Sequence, residues 1–279
     1  MPSANVIVLR NIVAAVVLGS LGCVARTPGG VGRPDAEPEL FGEPASSLPA
    51  DALDVVVFNV AKGRGRHFGA TLAELLPDAE LVLLQEVVLP EMVEPLRAAG
   101  HSWLVARTFS FTGRADEPTT GVATGSTAKA LSWRTAITHA GEPLLGTPKA
   151  TVLSAYALRG RDDALLVVNL HGINFRPAPF LQRQLDALAP AIAGHRGPVI
   201  LAGDFNTHHR RRAQMLARFT ESLDLRAVFT DEPRDDRRRH LGWPLDHVFV
   251  RGLVVERAEV VPAPHASDHR PLRVRLRVP

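Results

Sequence analysis

An acid and an amide two residues apart, Asp204 and Asn206, close the apolar run Val199-Ile200-Leu201-Ala202-Gly203. On an extended chain such positions point the same way, so both side chains can serve one site. A carboxylate at the mouth of a buried strand is costly unless something outside the core uses it, although Asp and Asn are also ordinary turn residues. The arrangement recurs. The run 55–58 ends at Asn59, 81–84 at Gln85-Glu86, and 165–168 at Asn169, with His171 just beyond. In the other sense, 248–250 begins after Asp246-His247, and 272–276 follows Ser267-Asp268-His269. Ends of some strands and starts of others share one edge of an antiparallel or mixed sheet. Asn59, Glu86, His171, Asp204, Asn206, Asp246, Asp268 and His269 are therefore expected at one rim.

Helical stretches are expected between the runs, over 68–76, 90–99, 180–192 and 211–223. Strands alternating with helices point to two mixed or antiparallel sheets packed face to face with helices outside, a four-layer α/β sandwich. The 109–126 segment, rich in Thr and Gly, reads as a long loop.

Hydrophobic residues make up 46% of the 279 and charged ones 22%, ordinary for a globular chain. A formal charge of +3 favours anionic partners. The lone Cys23 excludes an intramolecular disulfide and a cysteine-rich zinc site. Neither a His-Glu-x-x-His helix nor a Gly-x-Ser-x-Gly elbow occurs, which argues against a zinc hydrolase and a serine hydrolase. Arg10 followed by the short apolar stretch 12–21 reads as an export signal. Gly19-Ser20-Leu21-Gly22-Cys23 resembles a relaxed bacterial lipobox, so 1–23 is expected to be a signal peptide with Cys23 open to lipid attachment. Residues 24–50, rich in Pro and Gly, read as a flexible tether, and 51–279 as one domain.

Leu84-Gln85-Glu86, Asn169-Leu170-His171, Gly203-Asp204-Phe205-Asn206, Leu245-Asp246-His247-Val248 and Ser267-Asp268-His269 resemble, in order and spacing, the endonuclease/exonuclease/phosphatase superfamily. That is the group of DNase I, abasic-site endonucleases, inositol polyphosphate 5-phosphatases and neutral sphingomyelinases. The likeness spans 54–279, and Pro244-Leu245-Asp246-His247-Val248 is most similar to a bacterial branch. It implies a DNase I-like fold and hydrolysis of phosphodiester bonds with Mg²⁺ or Mn²⁺. Glu86 is a hard oxygen ligand suited to such an ion. By resemblance Asn59 and Asp268 join it in holding metal, and His269 contacts the scissile phosphate with its ring oriented by Asp246. Asp204 would orient or deprotonate water, while Asn206 and His171 would bond phosphoryl oxygens. His247, one residue from Asp246, should point away. Asn174 either supports the site or caps a turn.

Two basic runs flank these segments, His208-His209-Arg210-Arg211-Arg212 and Arg237-Arg238-Arg239-His240. Arg210 and Arg211 are expected to line the approach of a polyanion, whereas Asp235 and Asp236 stand ready to compensate the second run. The leading expectation is a monomeric, envelope-attached nuclease on DNA or RNA. A phospholipid or sphingomyelin phosphodiesterase, a small-molecule phosphatase, and an inactive phosphate-binding scaffold are the alternatives.

Overall fold

Two-residue alternation sorts each central strand's apolar residues onto two faces, and both faces are covered. The structure is a computed structural model and describes residues 39–110, 118–143, 146–229 and 235–279. One sheet contains β1 (Glu39–Phe41), β2 (Leu53–Asn59), β3 (Leu81–Leu89), β4 (Ser102–Ser110) and β5 (Thr119–Ser126), with β14 (Val254–Val260) and β15 (Leu272–Arg277). Its order is β1-β4-β5-β3-β2-β15-β14. The second sheet contains β6 (Ala130–Ile137), β7 (Ala150–Ala157), β8 (Ala164–His171), β9 (Val199–Asp204), β10 (Arg226–Ala227) and β13 (Asp246–Arg251). There the order is β10-β13-β9-β8-β7-β6. A small hairpin, β11 (Arg239–His240) with β12 (Trp243–Pro244), stands just before β13. Within the two large sheets only β2 with β3 and β8 with β9 run parallel.

Val55, Val57, Leu81 and Leu83 of the first sheet pack against Leu165, Val167, Ile200, Ala202 and Val248 of the second. The alternate residues Val56, Phe58, Val82 and Leu84 face outward, onto α1 (Phe68–Leu75) and α2 (Val93–Ala98). Likewise Val168, Leu170, Val199 and Leu201 lie under α3 (Ala178–Asp186), α4 (Ala189–Gly194) and α5 (Arg210–Glu221). Apolar burial on both faces explains why these strands read as continuous apolar runs. The result is the expected four-layer α/β sandwich.

Three expectations need correction. Residues 39–50 do not behave as tether: β1 pairs with β4, and Leu48 is fully buried in the inter-sheet core. The export segment, Cys23 and the rest of the expected tether to residue 38 lie outside the described residues. The expected 109–126 loop is largely sheet, because the Thr and Gly residues of 119–126 form β5 between β3 and β4. Gly121 and Gly125 sit where a Cβ would meet the Ala106 carbonyl or the Trp103 ring, so close strand approach, not looseness, explains their presence. The 180–192 helix is two helices, with Pro190 in the first turn of the second, where its missing N–H costs nothing.

Register delivers the polar ends together. Asp204 pairs with His171 on one side and with Asp246 on the other. Gly203, just before the acid, has a φ of 136°, and an added Cβ would lie 2.0 Å from the Leu170 carbonyl oxygen. Gly203→Ala must therefore spread β8 from β9. We expect it to lower stability by at least about 2 kcal/mol, read as a fall in the urea midpoint, together with loss of any activity that depends on Asp204.

Candidate active site

Regular pairing sets His171, Asp204 and Asp246 side by side, whereas Glu86 and Asn206 are aimed by departures from it. In β3 the ladder with β5 slips between Gln85 and Val87, leaving Glu86 as the bulged residue with a φ of 58°. A bulge re-aims the side chain it carries. Gln85 consequently turns into the core, where its Nε2 donates to Asn169 Oδ1 at 2.7 Å, tying the two sheets together. Glu86 turns instead to the cleft, its side chain 21% exposed. Asn206, with a φ of 51°, leaves β9 in the same left-handed conformation.

Asp204 is the most tightly held of the group. Asn59 Nδ2 reaches across from the other sheet and donates to its Oδ2 at 2.9 Å. The Asn206 backbone N–H donates to Oδ1 at 2.9 Å. Asn206 Nδ2 donates to Gly172 O at 3.0 Å and to Asp204 Oδ2 at 3.3 Å. Both amide hydrogens are thereby directed inward, so Asn206 fixes the acid and does not reach outward to a phosphoryl oxygen. His269 Nδ1 bonds Asp246 Oδ2 at 2.7 Å, and its Nε2 lies 3.9 Å from Asp204 Oδ2. His171 Nε2 sits 3.7 Å from Asp204 Oδ2 and 3.8 Å from Glu86 Oε1, bridging the two acids.

Electrostatics divide these groups by role. Burial alone would strip His269 of its proton, but the carboxylates of Asp246, Asp204 and Asp268 outweigh it and raise its pKa to about 10. Burial raises Asp204 to about 7, with the nearby Asp246 adding to the shift and the His269 cation opposing it. His171 is driven well below its usual range by burial and the Lys149 ammonium. Burial would raise Glu86 too, yet Lys62, Lys149 and His171 together hold it far below the usual carboxylate range. At neutral pH the site thus contains an imidazolium, a neutral imidazole, an ionised Glu86 and an acid poised near neutrality.

Of the residues expected at one rim, Asn59, Glu86, His171, Asp204, Asn206, Asp246 and His269 come together. Asp268 is exposed, and its nearest side-chain partner is Ser267 Oγ at 3.5 Å. Asn174 uses its Oδ1 to accept the Phe175 N–H at 2.8 Å, which makes it a turn residue. The first basic run splits. Arg210 and Arg211 are exposed at the start of α5, whereas Arg212 is fully buried and donates to the carbonyls of Ile173 and Arg176. In the second run Arg237 and Arg239 both bond Asp235, so that run is compensated.

Two cations escaped the sequence reading. Lys62 Nζ lies 2.5 Å from Glu86 Oε2. Lys149, paired with Glu142 at 3.2 Å, acts electrostatically on Glu86, His171 and Asp204. Lys62 was legible in principle, three residues beyond Asn59, but Lys149 belongs to no motif.

The donors suit a hard divalent cation. Oxygens or nitrogens of Asp204, Asp246 and His269 lie within 4.8 Å of one another, and Asp246 Oδ1 is buried without a hydrogen-bond partner among the described residues. An orphaned carboxylate oxygen beside a second carboxylate is what an absent cation would satisfy. Glu86 offers a further hard oxygen toward the same cleft.

A two-sheet sandwich carrying paired acids and histidines on one rim defines a class of phosphoester hydrolases. The chain belongs to the endonuclease/exonuclease/phosphatase family, whose sequence profile matches residues 56–269. A UPF0294 protein of Erwinia tasmaniensis is 38% identical over 229 residues, 81% of each chain. Another from Klebsiella pneumoniae is 39% identical over 238 residues, 84% of each. The fold resembles the endonuclease/exonuclease/phosphatase of Bacteroides vulgatus, with a TM-score of 0.66 at 15% identity over 82% of this chain and 99% of that one. It also resembles the human Nocturnin catalytic domain with bound sulfate, with a TM-score of 0.59 at 18% identity over 86% and 97% of the two chains.

His247 points away from the cleft, its Nε2 2.7 Å from Thr207 Oγ1 and its Nδ1 facing Arg237 at 3.3 Å. A proton on Nδ1 would confront that guanidinium. Burial and Arg237 together lower its pKa to about 3. Since the folded value lies below the unfolded one, the unfolded chain binds more protons in acid. His247 therefore contributes its full stability above about pH 6.5 and loses it progressively down to about pH 3. In EDTA, the urea midpoint is expected to fall through that window, and less steeply in His247→Gln. An equal slope in the variant would assign the acid transition to other groups.

Proposed function

We propose that this chain is a divalent-metal-dependent phosphodiesterase acting on nucleic acid. The observation that carries it is the buried array in which His269 bonds Asp246 at 2.7 Å and faces Asp204 at 3.9 Å. Asp204, with its pKa near 7, is matched to taking a proton from attacking water at neutral pH. Asn59 and Asn206 fix both of its oxygens, so the base is oriented before substrate arrives. The His269 cation, held by Asp246, lies where negative charge would gather on the phosphoryl oxygens, and it has a proton to give to the leaving oxygen. His171, neutral and fixed near Asp204, offers a hydrogen bond without adding charge. Glu86 and Asp246 Oδ1, otherwise unpartnered among the described residues, would hold Mg²⁺ or Mn²⁺, which would neutralise phosphoryl charge and make the water facing Asp204 more acidic.

The rim favours a polyanion. Exposed Arg64 and Arg66 follow the Asn59 end of β2, and exposed Arg210 and Arg211 follow Asn206. They stand on segments leading away from opposite sheets, as a backbone running along the cleft would require. A phospholipid substrate is the second reading. It is favoured by Phe175, 56% exposed beside Asn174, and Leu241, 81% exposed at the tip of the β11–β12 hairpin.

The test is the full chain incubated with supercoiled plasmid and, separately, with phospholipid vesicles, in Mg²⁺, Mn²⁺ or EDTA. We expect metal-dependent nicking that falls about 10²–10⁴-fold in Asp204→Ala and His269→Ala and weakens steeply with salt. Head-group release without nicking would move the assignment to the lipid reading.

A further inference from the structure

The Lys62–Glu86 pair joins two residues that both reach it through unfavourable backbone. Ala61 and Lys62 have φ values of 45° and 62°, and Glu86 has 58°. Residues with side chains disfavour this left-handed region, and its use marks places where a side chain must be aimed. The turn carrying Lys62 is fastened from outside. Ser267 Oγ donates to Asn59 O at 2.7 Å. Gly65 lies so close to the next loop that an added Cβ would stand 2.0 Å from the Ala266 carbonyl oxygen. The turn is thus pinned to the segment that delivers His269, and it places the Lys62 ammonium 2.5 Å from Glu86 Oε2.

The pair is open to the cleft, with side-chain exposures of 27% for Lys62 and 21% for Glu86. Partly exposed ion pairs contribute little stability, so stability alone gives poor reason for straining two backbones. An ammonium and a divalent cation repel each other at one carboxylate by far more than thermal energy. Lysine is a point charge on a flexible four-carbon stem, so it can leave one oxygen and find another while its backbone stays fixed. Lys149, the other ammonium acting on Glu86, is already held by Glu142 at 3.2 Å.

Building on the metal-dependent reading given above, we propose that Lys62 competes with the divalent cation for Glu86, and that the substrate's phosphoryl oxygens take up the displaced ammonium. Lys62 is then both a brake on metal binding in the empty enzyme and a phosphate-binding residue in the loaded one. Metal and phosphate bind with positive coupling, and the coupling is reciprocal.

The test is calorimetric titration of the full chain with Mn²⁺, with and without saturating inorganic phosphate, for the wild type, Lys62→Met, Lys62→Gln, Lys62→Arg and Glu86→Gln. Circular dichroism establishes that each is folded. Without phosphate, the Mn²⁺ dissociation constant should fall about tenfold in Lys62→Met and Lys62→Gln and stay near wild type in Lys62→Arg. Phosphate should tighten Mn²⁺ about tenfold in the wild type and less than about twofold in the uncharged variants. Equal Mn²⁺ affinity in the wild type and both uncharged variants, with binding lost in Glu86→Gln, would overturn the role of Lys62 and leave the metal reading intact. If Mn²⁺ binds none of the proteins, both fall together.

Discussion

The Asp204 carboxylate, 2% exposed at the end of β9, is held from two directions at once. Asn59 donates to it from the opposite sheet, and Asn206 donates to it from its own chain. A buried ionised carboxylate with no such partners would be far too costly to keep. The partners exist only if the two sheets meet in one register, so the acid and the sandwich specify each other. The interior Gln85–Asn169 bond repeats the logic one layer deeper, where slippage of either sheet would strand two buried amides. Inter-sheet packing of Val, Leu and Ile supplies most of the cohesion, but apolar side chains tolerate sliding. The polar bonds do not.

Aiming side chains out of so regular a frame requires departures from regular backbone. Glu86 occupies a bulge, Asn206 a left-handed turn, and Asp204 follows a glycine that lets β8 and β9 approach closely. Asp204 ends β9 and Asn206 follows it, while Glu86 interrupts β3, which runs on to Leu89. Regular pairing holds their neighbours, and strain is confined to the residues whose direction matters. The charges follow the same economy. Asp246, bonded to His269 Nδ1, helps keep that ring an imidazolium, while burial, aided by the Lys149 ammonium, keeps His171 neutral.

Most of the rim was legible because it is written at the ends of buried strands. A strand covered on both faces reads as an unbroken apolar run, so the first polar residue after it stands out. Asn59 and Asp204 stand out in that way, His171 two residues past such an end at Asn169, and Asp246 just before the run 248–250. The same signal fails for strands without such a run. β5 is built from Thr, Gly, Ala and Val packed tightly between β3 and β4, and it read as a loop. Residues 39–50 read as a tether because β1 is short and Leu48 is buried singly, with no periodicity around it. Asp268 shares a motif with His269 and acts on it electrostatically, but it is exposed where His269 is buried, since sequence adjacency does not set burial where the chain leaves regular structure.

The lysines were missed for a different reason, and it bears on how the site works. Carboxylates and histidines advertise themselves because burying them demands a partner. A lysine reaches its target along a flexible stem, and its sequence position says little about where its charge will sit. Lys149 comes from the segment leading into β7, tethered by Glu142, and still bears on Glu86, His171 and Asp204. Lys62 comes from a strained turn after β2 and lands on Glu86 itself. Taken as carboxylates alone, Glu86, Asp204 and Asp246 would form a concentrated anionic well, hostile to a phosphate until metal arrived. With the Lys62 and Lys149 ammonium groups and the His269 imidazolium interleaved, much of that charge is offset, although Glu142 takes a share of Lys149. Such an offset suits a site that must admit a cation and an anion into one cleft, since neither then has to enter against the full charge of the other.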